Sequence, residues 1–515
     1  MRVVDQPRCS PLPLPCRARL GLQAQTTQRA RRVRLESPAS PPTLSPKGRG
    51  SNCPLTHHLN MLKIHNPATG ALIAEVPQAS AALVAECARA ARLAQPAWAA
   101  RPMQHRLDII QRFRVALVAE LEPLAVTLTR EVGKPIGQSR GEINGLLARI
   151  DFFVAHAEAA IAPEAVFDDS ATHERITHDA LGVVANISAW NYPYFVGGNV
   201  FVPALLTGNA VLYKPSEFAT LTGLHIARLL HEAGVPSDVF VPLIGGGAVG
   251  AALLEQKLDG VFFSGSHATG QRIAQVLAPR FVKLQLELGG KDPSYVCDDA
   301  DVPLAAAALA DGAMYNTGQS CCSVERIYVH ERVHAAFVDA FMSTVRGFTF
   351  GDPMDETTYL GAITRAPQLG VLEAQVADAV AKGARLLLGG ARRPGPGNGF
   401  EPTVFTNVNH TMDLMCEESF GPIIGIQMVG GDDEALALMN DTRYGLTAGV
   451  FSRDEARARS LLARVNAGSV YWNCCDRVSP RLPWSGHGDS GLGLTLSTHG
   501  IRAFTRPRAW HLRRP

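Results

Sequence analysis

From Met61 onward the chain moves between two hydrophobic periods. The early segments repeat at helical spacing. Ser80 stands where an N-cap belongs and opens a helix through Leu93 that Pro96 is expected to end. Pro102 opens a second helix, with Leu107, Ile110, Arg114 and Leu117 at three- to four-residue intervals. From Leu181 the pattern becomes short apolar runs separated by helices, and residues 183–187, 210–213 and 239–244 read as buried strands. Between the last two, Leu221, Leu224, Arg228 and Leu229 fit a helix that Gly234 and Pro236 end. Strands alternating with helices predict a parallel, doubly wound α/β sheet. Such a sheet binds ligands at the carboxyl ends of its strands. Ser188, Trp190, Asn191, Lys214, Gly245 and Ser266 all follow closely after strands. A second alternation runs from about residue 292 to 472, with strands expected at 326–329, 423–428 and 448–451. The stretch from Pro483 onward has too few apolar residues to form a domain of its own.

Composition narrows the class. A chain of 515 residues suggests roughly three to four domain-sized units. Its 46% hydrophobic and 19% charged content is globular, and a formal net charge of +2 gives no reason to propose nucleic acid as a partner. No apolar run approaches the ~20 residues of a membrane span. The ten cysteines include the adjacent pairs Cys321-Cys322 and Cys474-Cys475, neither with zinc spacing, and His57-His58 is not a metal site either, so no metal is expected. A chain of this size needs no disulfide staples, which favours a reduced, cytoplasmic setting. Residues 1–60 differ, with nine arginines and one lysine against Asp5 and Glu36, many prolines and no apolar periodicity. Burial could not offset their ordering entropy, so disorder is expected. An organelle transit peptide is one reading of this leader. A start assigned upstream of a true Met61 is the other, favoured because the prolines suit an amphipathic presequence poorly.

Four glycine-rich or polar motifs carry candidate chemistry. Gly245-Gly246-Gly247-Ala248-Val249-Gly250 follows a strand and fits a loose dinucleotide pattern, which alone is weak. Ser264-Gly265-Ser266, with Gly270 beyond, places a hydroxyl and free amides at a helix N-terminus, where either a pyrophosphate or simple capping would use them. Glu287-Leu288-Gly289-Gly290-Lys291 supplies a carboxylate, and Asn316-Thr317-Gly318-Gln319-Ser320-Cys321 supplies a thiol, each where glycine lets the backbone approach a ligand or turn sharply. Together with Asn191 in Trp-Asn-Tyr-Pro and the segment Lys214-Pro215-Ser216-Glu217, these resemble the aldehyde dehydrogenase superfamily from about Met61 to the C-terminus.

The resemblance implies a Rossmann-like NAD-binding domain over 61–163 and 181–288, a second α/β domain with the thiol over 289–482, and a β arm from 164–180 and 483–515 joining subunits into a homodimer or homotetramer. It implies Cys321 as nucleophile, Asn191 with the Cys321 N–H as oxyanion donors, and Glu287 as the base that releases a free acid. Relatives that pass the acyl group to coenzyme A generally lack this glutamate. Lys214, Ser216 and Glu217 would meet the adenosine ribose, Gly265 and Ser266 the pyrophosphate, and Glu418 and Phe420 the nicotinamide riboside. Ile187, Ser188, Trp190, Gly245, Gly250 and Leu288 complete the expected cofactor set. A carboxylate accepts from a free 2′-hydroxyl and repels a 2′-phosphate, so Glu217 favours NAD, while the ammonium of Lys214 leaves NADP open.

The aldehyde pocket would be lined by Tyr192, Asn199, Tyr315, Cys475, Val478 and Trp484. Succinate-semialdehyde enzymes place arginines where this chain has Asn199 and Tyr315. Arg477 and Arg481 are possible substitutes but read more simply as solvated loop residues. Two departures stand out: Ala189 replaces a proline, and Gly488 a lysine. Competing expectations are an NADP-preferring or succinate-semialdehyde-specific enzyme and a catalytically silent NAD-binding scaffold.

Overall fold

Two parallel sheets, each covered by helices, account for the alternation. A computed structural model describes residues 60–515; both readings of the leader lie outside that range. The first sheet runs Gly491–Leu492, Lys283–Glu287, Gly260–Ser264, Val183–Ile187, Ala210–Lys214, Phe240–Pro242, all parallel except the short Gly491–Leu492 edge. Strand order reverses between Val183–Ile187 and Gly260–Ser264, which opens a crevice at their carboxyl ends. The second sheet runs Arg385–Leu388, Thr403–Thr406, Ile423–Val429, Val324–His330, Asp292–Val296, Thr447–Phe451, Ser469–Trp472, parallel except for Arg385–Leu388. Both sets of central strands are fully buried, so they read as continuous apolar runs.

Helices position the site. Ile136–Ala160 packs along Pro193–Leu206, an approach so close that a Cβ on Gly145 would lie 2.4 Å from the Phe195 ring. The third sheet pairs Thr505–Arg513 with Thr172–Ala180 and then Glu164–Asp168, all antiparallel, with Thr172–Ala180 half-exposed and the other two mostly exposed.

Three expectations change. The first helix spans Ala81–Ala99 with Pro96 inside it. Ser80 caps it as expected, accepting from the Leu83 N–H at 3.1 Å. Proline in a helix interior costs ~3 kcal/mol, and here the last turn is pinned by buried Trp98, whose indole N–H donates to the Leu205 carbonyl at 3.0 Å. The strand expected over 239–244 shortens to Phe240–Pro242 because Gly245, at φ +149°, begins the turn. Only Thr505–Arg513 of the 483–515 segment joins the third sheet. Gly491–Leu492 instead edges the first sheet, and Trp484, Leu496, Ile501 and Phe504 enter the core. Gly488 sits at φ +53°, and a Cβ there would lie 2.5 Å from the Arg443 carbonyl oxygen, so a lysine would be strained at this position.

Candidate active site

The thiol emerges from a strained, buried loop. After the helix Val302–Met314, Asn316, Thr317 and Gly318 take φ of +53°, +56° and +69° in succession. For a β-branched threonine this costs on the order of 1–3 kcal/mol, and neighbours hold it. The Asn316 backbone N–H donates to Gln138 Oε1 at 3.0 Å, and Thr317 Oγ1 accepts from the Gly361 N–H at 2.9 Å. Gln319 Nε2 donates to the Ala362 carbonyl at 3.2 Å. Gly318 fits because a Cβ would meet the Gly421 carbonyl at 2.1 Å. The loop leaves Cys321 half-buried on a cleft wall, whereas Cys322 is buried and its thiol donates to Asp476 Oδ1 at 2.9 Å. The two adjacent cysteines thus have different environments.

Asn191 lies beside this loop, buried, its Nδ2 donating to the Gln319 carbonyl at 3.2 Å. An amide nitrogen has two hydrogens, so one remains available. The Asn191 carbonyl accepts from Lys134 Nζ at 2.7 Å and from Asn316 Nδ2 at 3.3 Å. Lys134 is completely buried, pairs with Glu142 and lies 3.9 Å over the Tyr192 ring. Glu142 in turn accepts from the Tyr194 N–H at 2.8 Å. Sequence reasoning missed Lys134 and Glu142, because a lysine before a helix and a glutamate eight positions on, in a largely polar stretch, read as solvated charges.

Glu287 closes the Lys283–Glu287 strand and points into the same cleft. Its carboxylate accepts from Thr495 Oγ1 and, at 3.1 Å, from Ser264 Oγ. Burial holds its pKa above the ordinary glutamate range, and these two donors oppose the shift. Neither donor was foreseen in this role. Ser264 was visible only as a strand end, and Thr495 lay in a segment assigned to the arm.

One cleft of about 980 Å³ contains Cys321, Asn191 and Glu287 together with most of the expected cofactor residues: Ile187, Ser188, Trp190, Lys214, Ser216, Glu217, Gly250, Gly265, Ser266, Leu288, Glu418 and Phe420. The residues fit a dinucleotide. The helices Gly247–Leu254 and His267–Leu277 begin on the cleft, and a Cβ on Gly247 would project into open space. Helix N-termini favour anionic groups. A Cβ on Gly289 would lie 2.2 Å from Glu418 Oε1, so glycine keeps that carboxyl against the backbone. Burial pushes Glu418 up to about 8. Glu325 accepts from the Ser419 and Phe420 N–H groups at 3.0 and 3.1 Å and pairs with Lys291 at 2.6 Å, which fixes the Glu418–Phe420 turn. Lys214 Nζ lies 3.5 Å from Glu217.

Gly245 does not line the cleft. A Cβ there would strike Val249 at 2.4 Å, so its glycine serves the turn. Of the expected aldehyde-pocket residues, Trp484 lines the cleft. Tyr192, Tyr315 and Val478 are half-buried outside it, and Asn199 is buried and bonded to Arg149. Cys475 packs in the core against the second sheet, its thiol donating to the Ala308 carbonyl at 3.2 Å. Arg477 and Arg481 are exposed.

Comparison with known proteins agrees with this geometry. The family model described as "Aldehyde dehydrogenase family" matches residues 56–510. The chain is 35% identical to the 3,6-anhydro-alpha-L-galactose dehydrogenase of Streptomyces coelicolor over 458 residues, covering 88% of this chain and 93% of that protein. It is 33% identical to the succinate semialdehyde dehydrogenase [NAD(P)+] Sad of Escherichia coli, covering 88% and 97%. Among solved structures, a putative aldehyde dehydrogenase from Burkholderia cenocepacia superposes with a TM-score of 0.86 at 33% identity, covering 88% and 94%. The chain belongs to the aldehyde dehydrogenase family.

Proposed function

We propose that this protein oxidises an aldehyde to the free carboxylic acid with NAD, NADP being the weaker alternative. The observation that carries this reading is one cleft containing the Cys321 thiol, the Asn191 amide and the Glu287 carboxylate alongside Glu217 and Ser266. The Cys321 thiolate adds to the carbonyl carbon, forming a thiohemiacetal. The oxygen becomes anionic, and the free Nδ2–H of Asn191 with the Cys321 backbone N–H receives it. One such donor is worth roughly 2.7–4 kcal/mol. Glu418 and Phe420 would hold the nicotinamide, which when bound would accept the hydride whose loss turns the thiohemiacetal into a thioester. Glu287 then takes a proton from water, which attacks the Cys321 thioester carbon; the thiolate leaves and the acid departs.

Glu217 presents a carboxylate to the ribose position, which supports NAD over NADP, with Lys214 beside it as the residual cation. The half-exposed strand Thr172–Ala180 and the mostly exposed strand Thr505–Arg513 support assembly as a homo-oligomer. A cytoplasmic setting is proposed from the unpaired cysteines, and no helix among the described residues is long and apolar enough to cross a membrane. The test is NADH formation from a panel of aldehydes with NAD and NADP in parallel. Turnover is expected with NAD. Folded protein that binds NAD but turns over no aldehyde would favour the silent scaffold.

A further inference from the structure

Arg149 is 5% exposed on the helix Ile136–Ala160, and among the described residues no carboxylate lies within 4 Å of it. Buried lysines are matched by carboxylates. Lys134 has Glu142, and Lys291 has Glu325. Arg326, more deeply buried, donates from all three nitrogens, to Lys291, Tyr328, Leu438, Asp441 and Met439 oxygens. Arg149 engages only two. Its Nε donates to Asn199 Oδ1 at 3.0 Å and its Nη1 to the Gly145 carbonyl at 3.0 Å, while Nη2 makes no hydrogen bond. A largely buried guanidinium without a counter-charge is costly unless something else completes it.

It lies among residues expected to line the aldehyde pocket, next to Asn199 and behind Tyr192. The guanidinium stacks 3.9 Å over Phe195, and Phe195 stacks on Tyr192, which follows Asn191. Gly141 and Gly145, two turns and one turn earlier on the same helix face, carry no side chain to cover it. A Cβ on Gly141 would sit 3.6 Å from the Tyr315 hydroxyl. Burial lowers the Arg149 pKa to about 10, and the nearby charges of Glu142, Cys322 and Glu287 draw it back up, so it remains a cation at neutral pH.

We propose that Arg149, with the Asn199 amide it orients, is the specificity-determining group that receives a carboxylate at the far end of the substrate, so that the preferred substrates are ω-oxo acids. The Nη1–Nη2 edge offers the planar fork that a carboxylate matches. Asn199, turned by the bond from Nε, presents its own Nδ2 alongside. The anion supplies the missing counter-charge, and an uncharged alkanal leaves it missing. This proposal rests on the aldehyde-oxidising reading above.

The experiment compares unbranched ω-oxo acids of three to six carbons with alkanals of equal length, in wild type, Arg149→Gln and Arg149→Lys. For at least one length the wild type is expected to favour the acid by about a hundredfold or more in kcat/KM. Arg149→Gln brings that ratio close to one, mainly through the KM of the acid, and Arg149→Lys, which keeps charge but loses the fork, lowers it about tenfold. Independently of turnover, the unreactive diacid succinate should slow alkylation of Cys321 by iodoacetamide in wild type and not in Arg149→Gln. A wild-type ratio near one, with alkanals turned over, overturns this proposal alone. Equal losses for acid and alkanal with a shifted acid limb of the pH profile assign Arg149 to Glu287 and overturn it as well. No NADH from any aldehyde overturns the parent reading and this one together.

Discussion

The two halves of the cleft are built differently. The cofactor half is made of backbone: strand ends, glycines and helix N-termini, with the charges of Lys214 and Lys291 matched by Glu217 and Glu325. The thiol half is made of side chains from separated segments: Glu287 lines it without an opposite charge within 4 Å, and Arg149, likewise without a carboxylate, lies outside the lining behind Phe195 and Tyr192. Backbone can serve a ligand common to many enzymes because every residue carries the same amides. Selection among aldehydes needs side chains, and in the proposed reading the unpaired charges of Glu287 and Arg149 serve the chemistry and that selection.

The largest expected effect breaks one half and spares the other. Cys321→Ala should reduce turnover by about 10⁴-fold or more, while the Kd for NAD, read by fluorescence titration, changes little. Appreciable steady-state NADH from this variant would remove the nucleophile assignment. Next comes Glu287→Gln, which keeps the shape of the strand end and removes the base. A burst of NADH followed by a steady state slower by about 10²–10³-fold is expected; an unchanged steady state would mean that another group activates water.

The same division explains what was legible in the chain. All the residues expected at the cofactor except Gly245 line the one cleft, and they could be picked out because glycine motifs directly after apolar runs are contiguous in sequence. Arg149 could not be, since an arginine among Leu146, Leu147, Ile150 and Phe153 looks like the solvated edge of an amphipathic helix. Only the packing of Ile136–Ala160 on Pro193–Leu206 turns it inward to Asn199. Thr495 meets Glu287 from more than two hundred positions away, a contact with no local pattern. Pro96 misled for another reason: a tertiary anchor at Trp98 outweighed a local helix-breaking signal.

A smaller effect probes the cofactor half. Gly289→Ala places a methyl 2.2 Å from Glu418 Oε1 and must displace that carboxyl. The Kd for NAD is expected to rise roughly tenfold, on the order of 1.4 kcal/mol. In the absence of cofactor, the alkylation rate of Cys321 should be unaltered. A change in that rate without a change in Kd would show that the two halves are not separable in this way.

The mildest change sharpens the thiol half. Thr495→Val conserves volume and removes the hydroxyl that donates to Glu287. That hydrogen bond favours the charged carboxylate, so its loss raises a pKa that burial already holds above the ordinary range. Glu287 works as a base only when deprotonated, and the steady-state rate therefore climbs with pH through this pKa. A hydrogen bond to a charged group is worth about 1.5–3 kcal/mol, or about one to two pKa units. Ser264 still donates at 3.1 Å, so the lower end is expected. The acid limb of kcat should move to higher pH by about one unit, with the plateau intact. A limb that stays in place would mean that Thr495 orients Glu287 without tuning it, and a lowered plateau would mean that the hydroxyl also positions the attacking water.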